Sequence, residues 1–382
     1  MSATMNDSKH QQQSGGGTLE HENEARPIVS VIVPIRNEED FIADTLEQLL
    51  SQDYDPERYE IIVVDGMSTD RTWEVVEDFT RRYPQVRLLR NPRKWSSSAR
   101  NLGVSVSRGE IILVVDAHCQ LETESYLEEL VHAFQTSQAD CIGRPQPLDV
   151  ARASALQRAI AAARSSRLGH HPASFIYSSA EGFVPAHSVG VAYRRNVFRQ
   201  IGYFDETFDA CEDVDFNHRL DQAGLRCFLT PRLAVHYHPR PTIGGLYRQL
   251  FRYGRGRGRL LRKHPETFSL GSMVPAAFVA GLIVGLPLAI WSPLLRTVYL
   301  TVIGIYLFLV LLASSRALWQ NRSSLSMAPW LPLVFFAIHG GAGAGVLYEL
   351  VFGPPRQRVR ECAASESGEH LFSASVAETV NH

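Results

Sequence analysis

The chain has 382 residues, enough to bury a sizeable core and to divide into more than one domain. Its 38 Lys and Arg nearly cancel its 40 Asp and Glu, leaving a net charge of −2 at pH 7, so no bulk positive field points to nucleic acid. The cysteines, Cys119, Cys141, Cys211, Cys227 and Cys362, show no short paired spacing; this argues against a zinc knuckle or a disulfide framework and fits a reducing compartment. The near-neutral average hides an asymmetry. Residues 1–260 alternate apolar and charged stretches, whereas 267–348 carry only Arg296, Arg316 and Arg322.

Residues 1–26 are polar and glutamine- and glycine-rich, and read as a disordered tail without the apolar stretch of a secretory signal. Residues 28–34 predict a first buried strand. A helix follows with Ile42, Leu46, Leu49 and Leu50 on one face and Asp40 as its expected N-cap. Residues 59–64 predict a second strand that stops at Asp65-Gly66, 73–83 a helix, and 86–89 a short third strand. The run Ile111 to Val115 reads as a strand buried on both faces, and it ends abruptly in Asp116-Ala117-His118. Strands alternating with helices of this length predict a mostly parallel sheet with helices on both faces. From 121 to 175 the pattern is mainly helical and then irregular; a further strand is expected over 188–193, a helix from Glu212 ended by Gly224, and short strands over 226–229 and 233–236.

Ligands of open α/β sheets bind beyond the carboxyl ends of the strands. Asp65 and Asp116 both sit at such ends. Asp116 and His118 are two apart, so an extended backbone would point both to one side, where they could hold a divalent cation; a helix-capping Asp and a solvated His is the alternative. Neither G-x-G-x-x-G nor a P-loop is present, so a nucleotide would have to be held by side chains.

Residues 243–264 interleave Arg248, Arg252, Arg255, Arg257, Arg259, Arg262 and Lys263 with leucines and aromatics. This pattern predicts an amphipathic helix on an anionic membrane surface; nucleic acid is the competing reading, but no recognition motif accompanies it. The stretches 272–291, 297–313 and 327–348 are each long and apolar enough to predict a transmembrane helix. The basic segment before them predicts a cytoplasmic catalytic domain, although three full crossings would then place Arg356, Arg358 and Arg360 outside, against the positive-inside rule. The glycine run 340–345 would let helices approach closely, and His339 is expected to pack in the bundle or to face a lipid diphosphate. The expected domains are therefore 1–26 as tail, 27–242 as catalytic domain, 243–265 as basic interfacial segment, 266–352 as membrane domain and 353–382 as polar tail.

Five stretches, in this order and spacing, carry a resemblance: Val29-Ser30-Val31-Ile32-Val33-Pro34-Ile35-Arg36-Asn37-Glu38-Glu39, Val64-Asp65-Gly66-Met67-Ser68-Thr69-Asp70, Ala99-Arg100-Asn101-Leu102-Gly103, Asp116-Ala117-His118 and Cys211-Glu212-Asp213. Over 28–265 the chain resembles the inverting family 2 glycosyltransferases of the GT-A fold, and within them the membrane glucosyltransferases of succinoglycan biosynthesis. The resemblance implies transfer of a sugar, expected to be glucose from UDP-glucose, to a polyprenyl-diphosphate-linked oligosaccharide during surface polysaccharide synthesis. It implies Asp213 as general base with Glu212 orienting it or touching the acceptor. Pro34, Arg36, Glu38 and Asp65 are expected against the nucleoside, and Arg100 near the base or diphosphate. Asp116 falls on the first carboxylate of the D-x-D metal motif.

The chain departs from that motif at His118, where a second Asp would stand. Imidazole suits transition metals better than magnesium, and the polypeptide N-acetylgalactosaminyltransferases are similar in carrying D-x-H and using manganese; Mn2+ is therefore expected over Mg2+. His236 or His238 would add a further ligand. Gln249, Arg252 and Tyr253 resemble the Q-x-x-R-W box of polysaccharide synthases, which lies over acceptor and donor diphosphate. The implied location is the bacterial cytoplasmic membrane, multi-pass, with other polysaccharide-assembly proteins as partners and no nucleic acid. A polyprenyl-phosphate sugar synthase, a processive synthase and a non-catalytic membrane scaffold are the rival readings.

Overall fold

A computed structural model describes residues 27–170, 174–320 and 322–353, so the expected tail over 1–26, and that over 353–382 beyond its first residue, lie outside the described residues. The first half is a succession of β-α units: β1 (Val29–Ile35), α1 (Ile42–Leu50), β2 (Tyr59–Asp65), α2 (Thr72–Arg82), β3 (Val86–Arg90), α3 (Ser96–Val106) and β4 (Ile111–Val114). β1 pairs in parallel with both β2 and β4, and β2 with β3. β1, β2 and β4 are buried along nearly their whole length, as expected of strands with helices on both faces. Phe41, not Asp40, occupies the N-cap position of α1, and no side chain caps that end.

The apparently irregular middle of the chain extends this sheet. β5 (Cys119–Leu121), α4 (Tyr126–Ser137), β6 (Cys141–Gly143), α5 (Ala155–Arg164), β7 (Gly182–Val184), β8 (Gly190–Arg194), α6 (Arg195–Ile201), α7 (Glu212–Gln222), β9 (Cys227–Leu229) and β10 (Val235–Tyr237) follow in order. The sheet runs β3-β2-β1-β4-β8-β6-β9-β7, with β8 antiparallel to β4 and to β6, while β10 and β5 form a separate two-stranded ribbon. Odd-numbered β1 residues (Val29, Val31, Val33) face a core with α1, α2 and α4. Ile32 and Ile112 face the opposite core with Val104, Tyr193, Phe198 and Phe216 from α3, β8, α6 and α7. β6 and β7 are only three residues long, too short for a two-residue period to show in sequence.

Beyond β10 the chain becomes a helical bundle: α8 (Ile243–Lys263), α9 (Leu270–Trp291), α10 (Pro293–Gln320) and α11 (Leu331–Phe352). The last three are long and apolar enough to cross a membrane, and by length and composition mark a membrane protein. α9 and α10 expose most of their apolar side chains, whereas more than half of the apolar window of α11 is buried within the chain. α8 lies along α11 at backbone contact. A Cβ on Gly254 would overlap the Ala342 carbonyl, and one on Gly345 the Phe251 carbonyl, so only glycines permit this approach.

That packing turns part of the basic face of α8 inward. Arg255 and Arg259 turn inward and meet Glu349, which is 1% exposed, at 3.3 and 3.2 Å. A buried carboxylate needs paired cations, and these two arginines supply them. α5 also joins the bundle: Ala159, Ile160 and Ala163 share a core with Leu246, Val310 and Phe335. Catalytic and membrane parts are thus stitched together at two helices.

Candidate active site

A cavity of about 2280 Å³ opens at the carboxyl edge of the sheet. Pro34, Arg36 and Glu38, from the end of β1 and the loop after it, line one wall; Arg100 and Asp116 form the floor; Glu212 and Asp213 enter from the start of α7; Gln249, Arg252 and Tyr253 come from α8. Tertiary structure therefore brings together nearly all the side chains singled out by sequence.

Arg100 is the electrostatic centre. It projects from α3 to lie 3.5 Å from Glu212 and 4.0 Å from Asp116. Burial works against its charge, but Glu212, Asp213 and Asp116 together more than compensate and hold it protonated. Burial also works against ionising Asp116, yet Arg100, His118 and the Tyr237 hydroxyl outweigh it and keep the carboxyl below the usual carboxylate range. The Tyr237 hydroxyl donates to Asp116 Oδ2 at 2.6 Å. Burial pulls the His118 imidazole down; its hydrogen bond with Glu38 and the Asp116 charge reverse this and leave it above a free histidine.

His118 Nδ1 lies 3.1 Å from Glu38 Oε1. With the proton on Nδ1, the ring donates to Glu38 and leaves Nε2 as its ligand atom, the arrangement by which carboxylates orient metal-binding histidines. Asp116 Oδ1 is not used by the Tyr237 bond. One carboxylate oxygen and one imidazole nitrogen could serve as ligands to a divalent cation.

At the opposite wall, Cys211 adopts a left-handed conformation, φ 64°, immediately before α7. Such a backbone in a non-glycine residue is costly and is held only where the surroundings over-determine it. Here the turn splits the two acids. Glu212 is buried against Arg100, and burial first, with Asp213 adding to it against the pull of Arg100, pushes its carboxyl up. Asp213 faces the cavity and accepts the Val214 N–H at 2.9 Å. Both line the cavity, and Asp213 is the less buried of the two.

Two expected residues are placed differently. Asp65 is 1% exposed and accepts both the backbone N–H and the hydroxyl of Ser68, so it shapes the turn while Gly66 lines the cavity. His236 lies 2.5 Å from Glu122 and is off the cavity wall. Alternate residues of a strand point to opposite faces, so His236 and Tyr237 cannot both turn to Asp116. Tyr237 takes that place, and His238, 3.6 Å from Asp149, lines the cavity instead. Sequence reasoning passed over Tyr237 and also Arg144, a fully buried arginine that donates to the Tyr126 hydroxyl at 2.7 Å beneath the site. The strand period around Tyr237 held the signal for the first; nothing local marked Arg144.

The mostly parallel sheet, with acidic residues and a buried arginine at its carboxyl edge, is of the GT-A fold. The mannosyltransferase PcManGT of Pyrobaculum calidifontis, solved with GDP-Man and Mn2+, shares the fold at 18% identity, with a TM-score of 0.55 over 86% of this chain and 88% of that one. The profile of Glycosyl transferase family 2 matches residues 30–202. Succinoglycan biosynthesis protein ExoA of Rhizobium meliloti is 30% identical over 262 residues, 68% of this chain and 78% of ExoA. A dolichyl N-acetyl-alpha-D-glucosaminyl phosphate 3-beta-D-2,3-diacetamido-2,3-dideoxy-beta-D-glucuronosyltransferase of Methanococcus voltae is 25% identical across 85% of this chain and 98% of its own length. The chain belongs to glycosyltransferase family 2 and is a glycosyltransferase.

Proposed function

We propose that this enzyme transfers a sugar, with inversion, from a nucleoside diphosphate to a polyprenyl-diphosphate-linked oligosaccharide, with UDP-glucose as the expected donor. The observation that carries the lipid acceptor is the continuity of the cavity. It runs from Asp116 and Asp213 past Arg248, Arg252 and Arg257 to Phe278, Ile305 and Val346 on the membrane helices. A phosphate group and an apolar tail would each find matching walls in that order. The acceptor hydroxyl attacks the anomeric carbon, its proton passes to the Asp213 carboxylate, and the bond to the nucleoside diphosphate breaks.

Negative charge grows on the departing diphosphate, beside Arg100. A fixed cation that needs no reorganisation lowers the barrier there. Asp116 Oδ1 and His118 Nε2 would hold a divalent cation, Mn2+ before Mg2+, that neutralises the same charge; the fold relative bound to GDP-Man and Mn2+ supports this reading. The catalytic part lies on the cytoplasmic side of the bacterial inner membrane in this proposal, where nucleotide sugars are made.

The test is a donor screen with purified protein in detergent and Mn2+, using lipid extract of the source cell as acceptor, followed by linkage analysis. Transfer to a lipid-linked oligosaccharide supports the proposal. Transfer to polyprenyl phosphate itself would move the assignment to a polyprenyl-phosphate sugar synthase. Release of long polymer would make the enzyme processive, and failure to bind any nucleotide sugar would leave a scaffold.

A further inference from the structure

The described residues contain a second group of metal-binding side chains, outside the donor end of the cavity. His218 lies on α7, His264 directly after α8, and Glu266 in the turn that follows. His218 Nε2 is 3.1 Å from Glu266 Oε1, and His264 Nδ1 is 3.4 Å from the same oxygen. All three ligand atoms fall within 4.8 Å of one another. A tetrahedral ion bonded at about 2.0–2.1 Å sets its ligand atoms roughly 3.3 Å apart. The two separations that involve Glu266 already match; the third, between the imidazole nitrogens of His218 and His264, lies within 4.8 Å and closes only if those two rings turn toward each other.

The far side of His264 is held in place as well. Its Nε2 lies 2.9 Å from Asp215 Oδ1. Asp215 is fully buried and already meets Lys263 Nζ at 2.8 Å and Arg219 Nε at 3.1 Å. With two fixed cations in place, Asp215 needs only a hydrogen bond from His264. Donation from Nε2 leaves a lone pair on Nδ1 aimed at the Glu266 carboxylate. Either a second proton on Nδ1 or a metal ion beside both joins that nitrogen to the Glu266 carboxylate. Carboxylate, imidazole and metal in series is how protein metal sites fix ring orientation. Gln222 Nε2 donates to Glu266 Oε1 at 2.7 Å and restrains that carboxylate as well.

We propose that His218, His264 and Glu266 form a second divalent-metal site, of the zinc class, distinct from Asp116 and His118. Two imidazoles and one carboxylate suit zinc or cobalt and disfavour magnesium and calcium. Its place suggests its work. α7 begins with Glu212 and Asp213, and the metal ties the last turns of that helix to the segment between α8 and the first membrane helix. His218 and Glu266 also line the cavity.

The test uses the full chain in detergent, carrying Asp116→Asn to silence the donor-end site, stripped with chelator and titrated with Co2+. The expected result is a visible absorption band of tetrahedral cobalt, displaced by Zn2+, with about one zinc per chain retained after desalting. Glu266→Gln and His218→Gln, each in the same background, should lose the band and the zinc. Glu266 is exposed, so its variant keeps the fold; zinc should raise the thermal midpoint of the Asp116→Asn protein and leave that of the Glu266→Gln protein unmoved. No band with no retained zinc, or equal retention in both variants, would overturn the proposal. Neither outcome depends on which sugar or acceptor the enzyme uses.

Discussion

Asp213 and Glu212 are adjacent, yet their environments separate their roles. Glu212 is locked to buried Arg100, while Asp213 looks into the cavity. Asp213→Asn should lower kcat by about 10²–10⁴ while donor affinity, read by calorimetric titration, stays within error; unchanged turnover would remove Asp213 as base. Tyr237 acts one step back. Its hydroxyl orients Asp116, so Tyr237→Phe should weaken Mn2+ affinity by roughly 10–100-fold without abolishing turnover at saturating metal. If chelators leave donor binding unaltered, the metal role of Asp116 and His118 falls. Asp116 and His118 stand just beyond an apolar strand, and Glu212 and Asp213 start a helix, places that the sequence marks by itself. Tyr237 lay hidden between two histidines that looked more like ligands.

At the scale of elements, the telling pair is α8 and α11. Read alone, α8 is a row of arginines that suits a lipid surface. Against α11 it becomes an internal strut. Its glycines permit backbone contact, and Arg255 and Arg259 reach both Glu349 and Asp209, two residues before Cys211. Glu349→Gln should destabilise the protein by roughly 3 kcal/mol, near the lower end for breaking a buried pair because Asp209 still faces both guanidinium groups. Thermal unfolding in detergent checks this, and an unshifted midpoint would contradict it. Gly345→Leu should cost about 1–3 kcal/mol through overlap with Phe251, or separate the helices outright.

Over the whole molecule, one cavity joins a polar transfer site to an apolar membrane wall. In the proposed reaction, binding energy from a long prenyl tail would hold the acceptor hydroxyl beside Asp213. Acceptors with shortened tails should show a rising KM for acceptor while KM for the donor is unchanged; equal KM values for short and long tails would mean that the membrane wall does not take part. This arrangement also explains why the catalytic and membrane parts share cores at α5 and α8 instead of meeting through a flexible linker.

Local periodicity alone was enough to determine β1 to β4, the helices after β1 and β2, the acidic strand ends and the three long apolar helices, because each depends on neighbours within a few positions; α3 went unmarked. Only the folded chain decided the antiparallel half of the sheet, whose strands are too short to carry a period, and the inward turn of Arg255 and Arg259. It alone chose Tyr237 over His236 beside Asp116, since that outcome depends on which face of β10 meets β5 and the end of β4. Long-range pairings of this kind follow from packing, and no stretch of sequence contains both partners.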